Sequence, residues 1–506
     1  MRSTLPLTGN DLTIKDFAKV VYDGMAVRLS PSAKRQMEQS HRLVEQLACL
    51  HQPVYGVNTG FGKLSDVPIS PAEIEALQLN LVRSHACGVG PPLSEAETRG
   101  IMLCRANVLA KGYCGCRPEV ATQLIGLLNH KVHPVIPSQG SVGASGDLAP
   151  LAHLALVLGG EGVARVGSRR VKGREALRQV RLKPLKLGPK EGISLLNGTQ
   201  AMLSLGILSL LSAETLVNTA DAATALSLDA LKGTPVAYDE KIHALRPFPG
   251  QIATAANLRR LSAGSEIRES HRGCRKIQDA YSLRCAPQVH GSVRETLAFT
   301  RRTFEIELNA ATDNPLVFPR EKEILSGGNF HGQPLAMALD FMAIALTELG
   351  SISERRIERL INPEYGDLPP FLASDPGVHS GFMMLQVTAA ALTSECKVLA
   401  HPASVDSIPT SGNKEDHVSM GMGAALKLRQ VMQNVRRILA IELLCGAQGI
   451  EFLAPLKPGP GVQKVYRLIR EVSATVRKDR SLANDIEAVS RRIEEGAFAR
   501  ILDHLP

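Results

Sequence analysis

Apolar residues recur at helical spacing along most of this chain. Leu12–Tyr22 and Pro31–Leu50 both carry the pattern, and the second starts well, with Ser30 placed as an N-cap and Pro31 in the first turn. From about residue 200 the helix breakers almost vanish. Thr199–Leu231, Gln333–Ile361, Ser380–Leu399 and Val418–Cys445 are long stretches, apolar on more than one side. Such stretches predict a bundle whose helices are buried on several faces. Ser353-Glu354-Arg355-Arg356-Ile357-Glu358-Arg359 is expected along an exposed side. The fold class expected is mainly α: an elongated bundle of long helices with a smaller mixed N-terminal domain, the boundary falling between 1–200 and 201–506. Helices this long and apolar have more surface to bury than one subunit covers, so symmetric oligomerisation is expected.

Two glycine-rich segments interrupt the N-terminal part. Gly56–Gly62 must be a loop, and so must Gly140–Gly146. The second precedes an apolar, helix-prone run, Leu148–Leu158, with Asp147 placed as its N-cap and Pro150 near its first turn. Arg165–Pro189 has alternating patches such as Val180-Arg181-Leu182, which predict short strands or an exposed hairpin.

Composition narrows the class. With 506 residues, 44% hydrophobic and 21% charged, the chain has ample material for a large core. Fifty-eight Lys+Arg against 49 Asp+Glu leave +9. The basic residues are scattered apart from Arg165–Lys190, and no aromatic platform accompanies them, so no nucleic-acid partner is expected. Nine cysteines without a paired zinc-site spacing, despite the C-x-C of Cys114 and Cys116, read as structural thiols in a reducing compartment. Met1–Asp11 lacks the apolar core of a signal peptide, and the longest apolar stretch, Ala201–Ala213, is too short to span a bilayer. A cytoplasmic protein without membrane partners is therefore expected.

The chemistry begins at Gly143-Ala144-Ser145-Gly146-Asp147. A serine nucleophile elbow, G-x-S-x-G, fails at its last position, where Asp147 stands. The longer string, Gly140-Ser141-Val142-Gly143-Ala144-Ser145-Gly146-Asp147-Leu148-Ala149-Pro150-Leu151-Ala152-His153, is more specific. It resembles the signature of the ammonia-lyase family that acts on histidine, phenylalanine and tyrosine. The resemblance runs from about residue 50 to 495. It implies that the Gly146 amide nitrogen attacks the Ala144 carbonyl and that loss of water turns Ser145 into a dehydroalanine. The result would be a methylidene-imidazolone built from Ala144-Ser145-Gly146, with no external cofactor and no metal. The residue types suit this: Gly146 gives an unhindered nitrogen and unusual backbone angles, Ala144 permits close approach, and Ser145 carries a hydroxyl that can leave. Expelling ammonia needs a strong electrophile, which unmodified side chains do not supply.

Four further strings extend the resemblance. Tyr55-Gly56-Val57-Asn58-Thr59-Gly60-Phe61-Gly62 is similar to the family's mobile loop, with Tyr55 as base for the β-proton, a role that needs a lowered pKa. Leu195-Leu196-Asn197-Gly198-Thr199-Gln200 implies that Asn197 holds the amino-acid end of the substrate; its plain alternative is a helix N-cap. Gln278-Asp279-Ala280-Tyr281-Ser282-Leu283-Arg284-Cys285 implies substrate binding by Gln278 and Arg284, the latter gripping the carboxylate, with Tyr281 beside the electrophile. Gly327-Gly328-Asn329-Phe330-His331-Gly332-Gln333-Pro334 makes Phe330 a wall near the reacting centre.

Two positions bear on the amino acid. Arg83-Ser84-His85-Ala86 and Asn413-Lys414-Glu415-Asp416-His417 are similar to the members acting on histidine rather than on aryl substrates. An imidazole offers N–H donors that Glu415 can hold, while His85 can bond the other ring nitrogen. Lys414 departs from the Gln common among bacterial relatives and could compete for Glu415. The resemblance implies conversion of L-histidine to trans-urocanate and ammonia by a homotetramer whose sites collect residues from three subunits. The rival is an aryl-amino-acid lyase or 2,3-aminomutase on the same scaffold.

Overall fold

The computed structural model describes residues 4–49, 53–274 and 277–505. It is mainly helical, with 60% of residues in helices and 8% in strands, as the fold class expected. The chain forms two compact units. The first comprises the residues up to Leu208 with Arg301–Leu339 and Pro402–Leu426, and the second comprises Ser209–Thr300, Asp340–His401 and the residues from Lys427 onward. Four of the five cuts between the units fall inside helices, Gln200–Ala230, Ala286–Leu308, Gln333–Ile361 and Gly421–Glu451.

In the first unit, Pro31–Ala48 is capped as expected: the Ser30 hydroxyl accepts from the Ala33 amide. The predicted last residue of that helix, Leu50, lies outside the described residues. Glu95–Ala110 starts with a capping box in which Ser94 and Glu97 satisfy each other's backbone N–H. Nearly every later residue of it is buried, including Arg99 and Arg105. Leu148–Leu158 and Gln333–Ile361 have the predicted bounds. Small sheets edge this unit, among them a three-stranded one ordered Val132–Pro134, Val163–Val166, Arg169–Lys172. The last two strands are the expected hairpin. Val180-Arg181-Leu182 is no strand, because the short helix Gly173–Gln179 precedes it and Arg181 turns the backbone at φ 58°.

The stretch Ala201–Ala213 is only part of a longer helix, Gln200–Ala230, which with Gln333–Ile361 is long and apolar enough to cross a membrane. This corrects the expectation from length. Polar residues of this helix find carbonyls for their hydroxyls: Ser204 donates to Glu97, Thr219 to Thr215 and Thr224 to Ala220. Of the most apolar window in each helix, 72% and 67% respectively is buried inside the protein, which is how core helices behave.

A second correction concerns Ser353–Arg359. Ser353 and Arg356 are fully buried in the second unit. The Arg356 guanidinium makes a bidentate pair with Glu442, at 2.6 and 2.9 Å. The Ser227 and Ser353 hydroxyls donate to the same carboxylate. A charge pair satisfied on all sides can be buried where an unpaired one cannot.

Candidate active site

The loop 140–147 owes its path to glycine. Gly143 has φ 70° and Gly146 φ 72°. A Cβ on Gly146 would stand 2.1 Å from the Gly198 carbonyl oxygen, so only glycine fits. The two strings 140–153 and 195–200 meet here: the Asp147 amide donates to the Gly198 carbonyl at 2.7 Å, and the Gly198 amide donates to the Ser145 carbonyl at 3.3 Å. A third string, 413–420, closes the loop from the other side. The Met420 amide donates to Val142 and the buried Ser419 hydroxyl to Gly143.

Asp147 does not cap its own helix, contrary to expectation. Its carboxylate turns instead to the start of Gln200–Ala230, accepting from the Ala201 and Met202 amides at 2.9 Å each, and it accepts the Ser141 hydroxyl at 2.8 Å. Burial pushes this carboxyl up to about 6, against the pull of those three donors.

Ser145 lines a cavity of about 450 Å³ together with Tyr55, Ala144, Phe330 and Glu415. Five of the residues singled out in the sequence thus share one space. The Ser145 hydroxyl donates to Glu415 Oε1 at 2.8 Å, and the Thr410 hydroxyl donates to Oε2 at 2.6 Å. Lys414 lines the cavity but, among the described residues, makes no ion pair. Buried Ala144, the glycine-only backbone at Gly146 and a Ser145 hydroxyl held in the cavity all fit a self-formed imidazolone at this place.

His85 ends the helix Ile74–His85, its Nδ1 at 2.9 Å from the Leu81 carbonyl. Burial lowers its pKa, while the Leu81 bond and the Glu415 charge raise it. His85 therefore feels Glu415 without lining the cavity. Asn197 does not cap a helix N-terminus; it ends Glu191–Leu196. Its amide is buried and donates to Asp313 at 3.3 Å and to the Asn314 carbonyl at 3.2 Å. The Asp313 carboxylate also takes fully buried Lys190 at 2.7 Å.

Tyr55 departs from its expected electrostatics. Its pKa is raised, first by burial, with Glu415 and Asp313 adding to the rise and a backbone hydrogen bond at Gly62 opposing it. Among the described residues, no cation is one of these influences.

Gln278, Tyr281 and Arg284 do not line this cavity. Gln278 and Arg284 line another, of about 800 Å³, within the second unit. Tyr281 is 70% exposed, and the Arg284 guanidinium lies 4.5 Å from its ring centroid. Arg284 Nε is buried and, among the described residues, without a hydrogen-bond partner.

Sequence reading missed His331 and His417, which line the Ser145 cavity. Their rings stack at 5.9 Å and 4°, and His331 Nε2 lies 3.1 Å from the His417 carbonyl. The signal was available: each stands within two residues of a residue singled out, Phe330 or Glu415.

The profile of the family described as aromatic amino acid lyase matches residues 12–471. The chain is 57% identical to the histidine ammonia-lyase of Koribacter versatilis, over 98% of each chain. Among solved structures it is similar to histidine ammonia-lyase from Trypanosoma cruzi, with TM-score 0.91 and 42% identity, covering 100% of this chain and 96% of that one. It is also similar to tyrosine aminomutase from Streptomyces globisporus, with TM-score 0.93 and 38% identity over 99% of each chain.

Proposed function

The chain belongs to the aromatic amino acid lyase family, and from that premise we propose that it eliminates ammonia from L-histidine to give trans-urocanate. The observation that carries this reading is the Glu415 carboxylate, held in one cavity with Ser145 and Tyr55. A carboxylate is a partner for imidazole N–H donors and offers nothing to a phenyl ring. A site built around such a polar partner rejects rings that lack it. The relatives named histidine ammonia-lyase support the same substrate.

A methylidene-imidazolone formed from Ala144-Ser145-Gly146 would supply the electrophile that makes the amino group a leaving group. The chain's own residues do the rest. Glu415 and His85 hold the imidazole. Tyr55 takes the β-proton, and because burial raises its pKa, the ionised form must be favoured by charge gathered in the assembled, substrate-bound site. Asn197 is fixed by Asp313 and Asn314, which leaves its side-chain oxygen for the substrate amine. Phe330 walls the cavity. Gln278, Tyr281 and Arg284 reach the site from other copies in a cytoplasmic homotetramer. Arg284 supplies a fork for the substrate carboxylate.

The test is turnover of L-histidine by purified protein, followed through urocanate absorbance, with L-tyrosine, L-phenylalanine and Ser145→Ala alongside. Histidine turnover lost in Ser145→Ala is the expected result. Turnover of an aryl substrate instead would favour the second reading, an aryl lyase or aminomutase, which the likeness to tyrosine aminomutase supports.

A further inference from the structure

We propose that Glu415 has a second task, earlier than substrate binding: it is the acid that carries away the Ser145 hydroxyl when the chain builds its electrophile. This rests on the reading of Ala144-Ser145-Gly146 as a self-cyclising segment.

The two carboxylate oxygens of Glu415 are differently engaged. Oε2 is anchored by the Thr410 hydroxyl at 2.6 Å. The backbones of the same two residues bond each other, the Thr410 amide to the Glu415 carbonyl at 2.9 Å and the Glu415 amide to the Thr410 carbonyl at 3.4 Å. The free orientation of the side chain is thereby removed. Oε1, among the described residues, has one hydrogen-bond partner, the Ser145 hydroxyl, at 2.8 Å. Before any substrate arrives, the carboxylate expected to hold the imidazole thus sits on the oxygen that must be lost.

The chemistry needs such a group. Two bonds to Ser145 must break: Cα–H and Cβ–Oγ. Hydroxide is a poor leaving group, and a carboxylic acid within hydrogen-bond reach lowers the barrier by handing over a proton as the C–O bond breaks. Glu415, protonated from solvent, gives its proton to Oγ, and one water leaves. The Cα proton passes to solvent, and its electron pair forms the Cα=Cβ bond. The other water comes from cyclisation: the Gly146 nitrogen bonds to the Ala144 carbonyl carbon, whose oxygen leaves with the Gly146 and Ser145 amide protons. Atoms balance at two waters lost, with no oxidant. The second activating contact is also present. The Gly198 amide donates to the Ser145 carbonyl at 3.3 Å, where it stabilises the negative charge that develops as Cα–H is removed.

The experiment reads mass, not activity. Wild type, Glu415→Gln and Glu415→Ala are purified, and the peptide carrying Ala144–Gly146 is weighed at intervals after synthesis. Far-ultraviolet circular dichroism confirms that each variant is folded. Wild type should be short by two waters. Glu415→Gln keeps a hydrogen-bonding side chain but no transferable proton. Both variants should lose the Ser145 water about 10²-fold more slowly, so that peptides retaining it accumulate. Thr410→Val, which keeps the carboxyl but frees its anchor, should be intermediate. Glu415→Ala reaching the two-water loss as fast as wild type would overturn the inference while leaving the proposed function intact. Wild type with no water lost would overturn the self-formed electrophile itself, and the inference with it.

Discussion

At the residue scale, Asp147 and His85 show burial acting in opposite directions on an acid and a base. Burial pushes Asp147 up to about 6, above its ordinary value of 3.8. The native state therefore holds a proton between those values that the unfolded chain has released. Stability contributed by this group is present at the acid side and falls as pH rises through about 6. Wild type should lose on the order of 3 kcal/mol more than Asp147→Asn between about pH 4 and pH 7. Denaturant midpoints of both proteins at several pH values check this; parallel pH dependences would show that Asp147 is charged throughout. His85 is lowered by burial and so is neutral at pH 7, able to accept from or donate to an imidazole. Because it is only half-buried, its removal should leave the thermal midpoint nearly unchanged. In His85→Ala, kcat/KM for L-histidine should fall about 10- to 100-fold, the worth of one unmatched polar partner. An unchanged kcat/KM would remove His85 from the site.

At the element scale, sequence was most legible where burial follows apolar periodicity. Leu148–Leu158 and Gln333–Ile361 carry that signal from end to end, and their bounds agree with expectation. It failed where a polar residue is buried against a partner far along the chain. Arg356 reads as surface because its partner, Glu442, is 86 residues away. Asp147 reads as the cap of the helix that follows it, yet it caps one that starts 53 residues later. No local pattern announces such pairs. The clustering of Tyr55, Ser145, Phe330 and Glu415 was legible only through motif resemblance, since nothing in their spacing brings them together. The Arg356–Glu442 pair makes a prediction of its own. With both side chains fully buried, Glu442→Ala leaves a guanidinium without its counter-charge, and the second unit should be destabilised by about 3–5 kcal/mol. Replacing both partners, Arg356→Met with Glu442→Leu, should recover much of that loss. Chemical denaturation of the two variants measures the difference, and equal losses would show that the pair itself contributes little beyond volume.

At the scale of the whole molecule, the site residues divide into two groups. Tyr55, Ser145, Phe330 and Glu415 line one cavity, while Gln278 and Arg284 line another. The 70% exposure of Tyr281 suits a residue completed by another copy of the chain. If sites are shared in this way, two inactive chains can repair each other. Ser145→Ala lacks the electrophile but keeps Arg284; Arg284→Ala has the electrophile but lacks the carboxylate fork. Expressed separately, each should be nearly inactive: Ser145→Ala for want of the electrophile, and Arg284→Ala because truncating one partner of a charge pair that bound substrate closes off from water costs about 2–5 kcal/mol. Expressed together with distinct tags and purified through both, mixed oligomers contain some sites that take Ser145 from one variant and Arg284 from the other. These should regain a substantial fraction of wild-type turnover, whereas the two variants mixed after separate assembly should not. Activity in the mixed oligomers no greater than in the parents would place both residues in a site made by one chain and end the case for sharing.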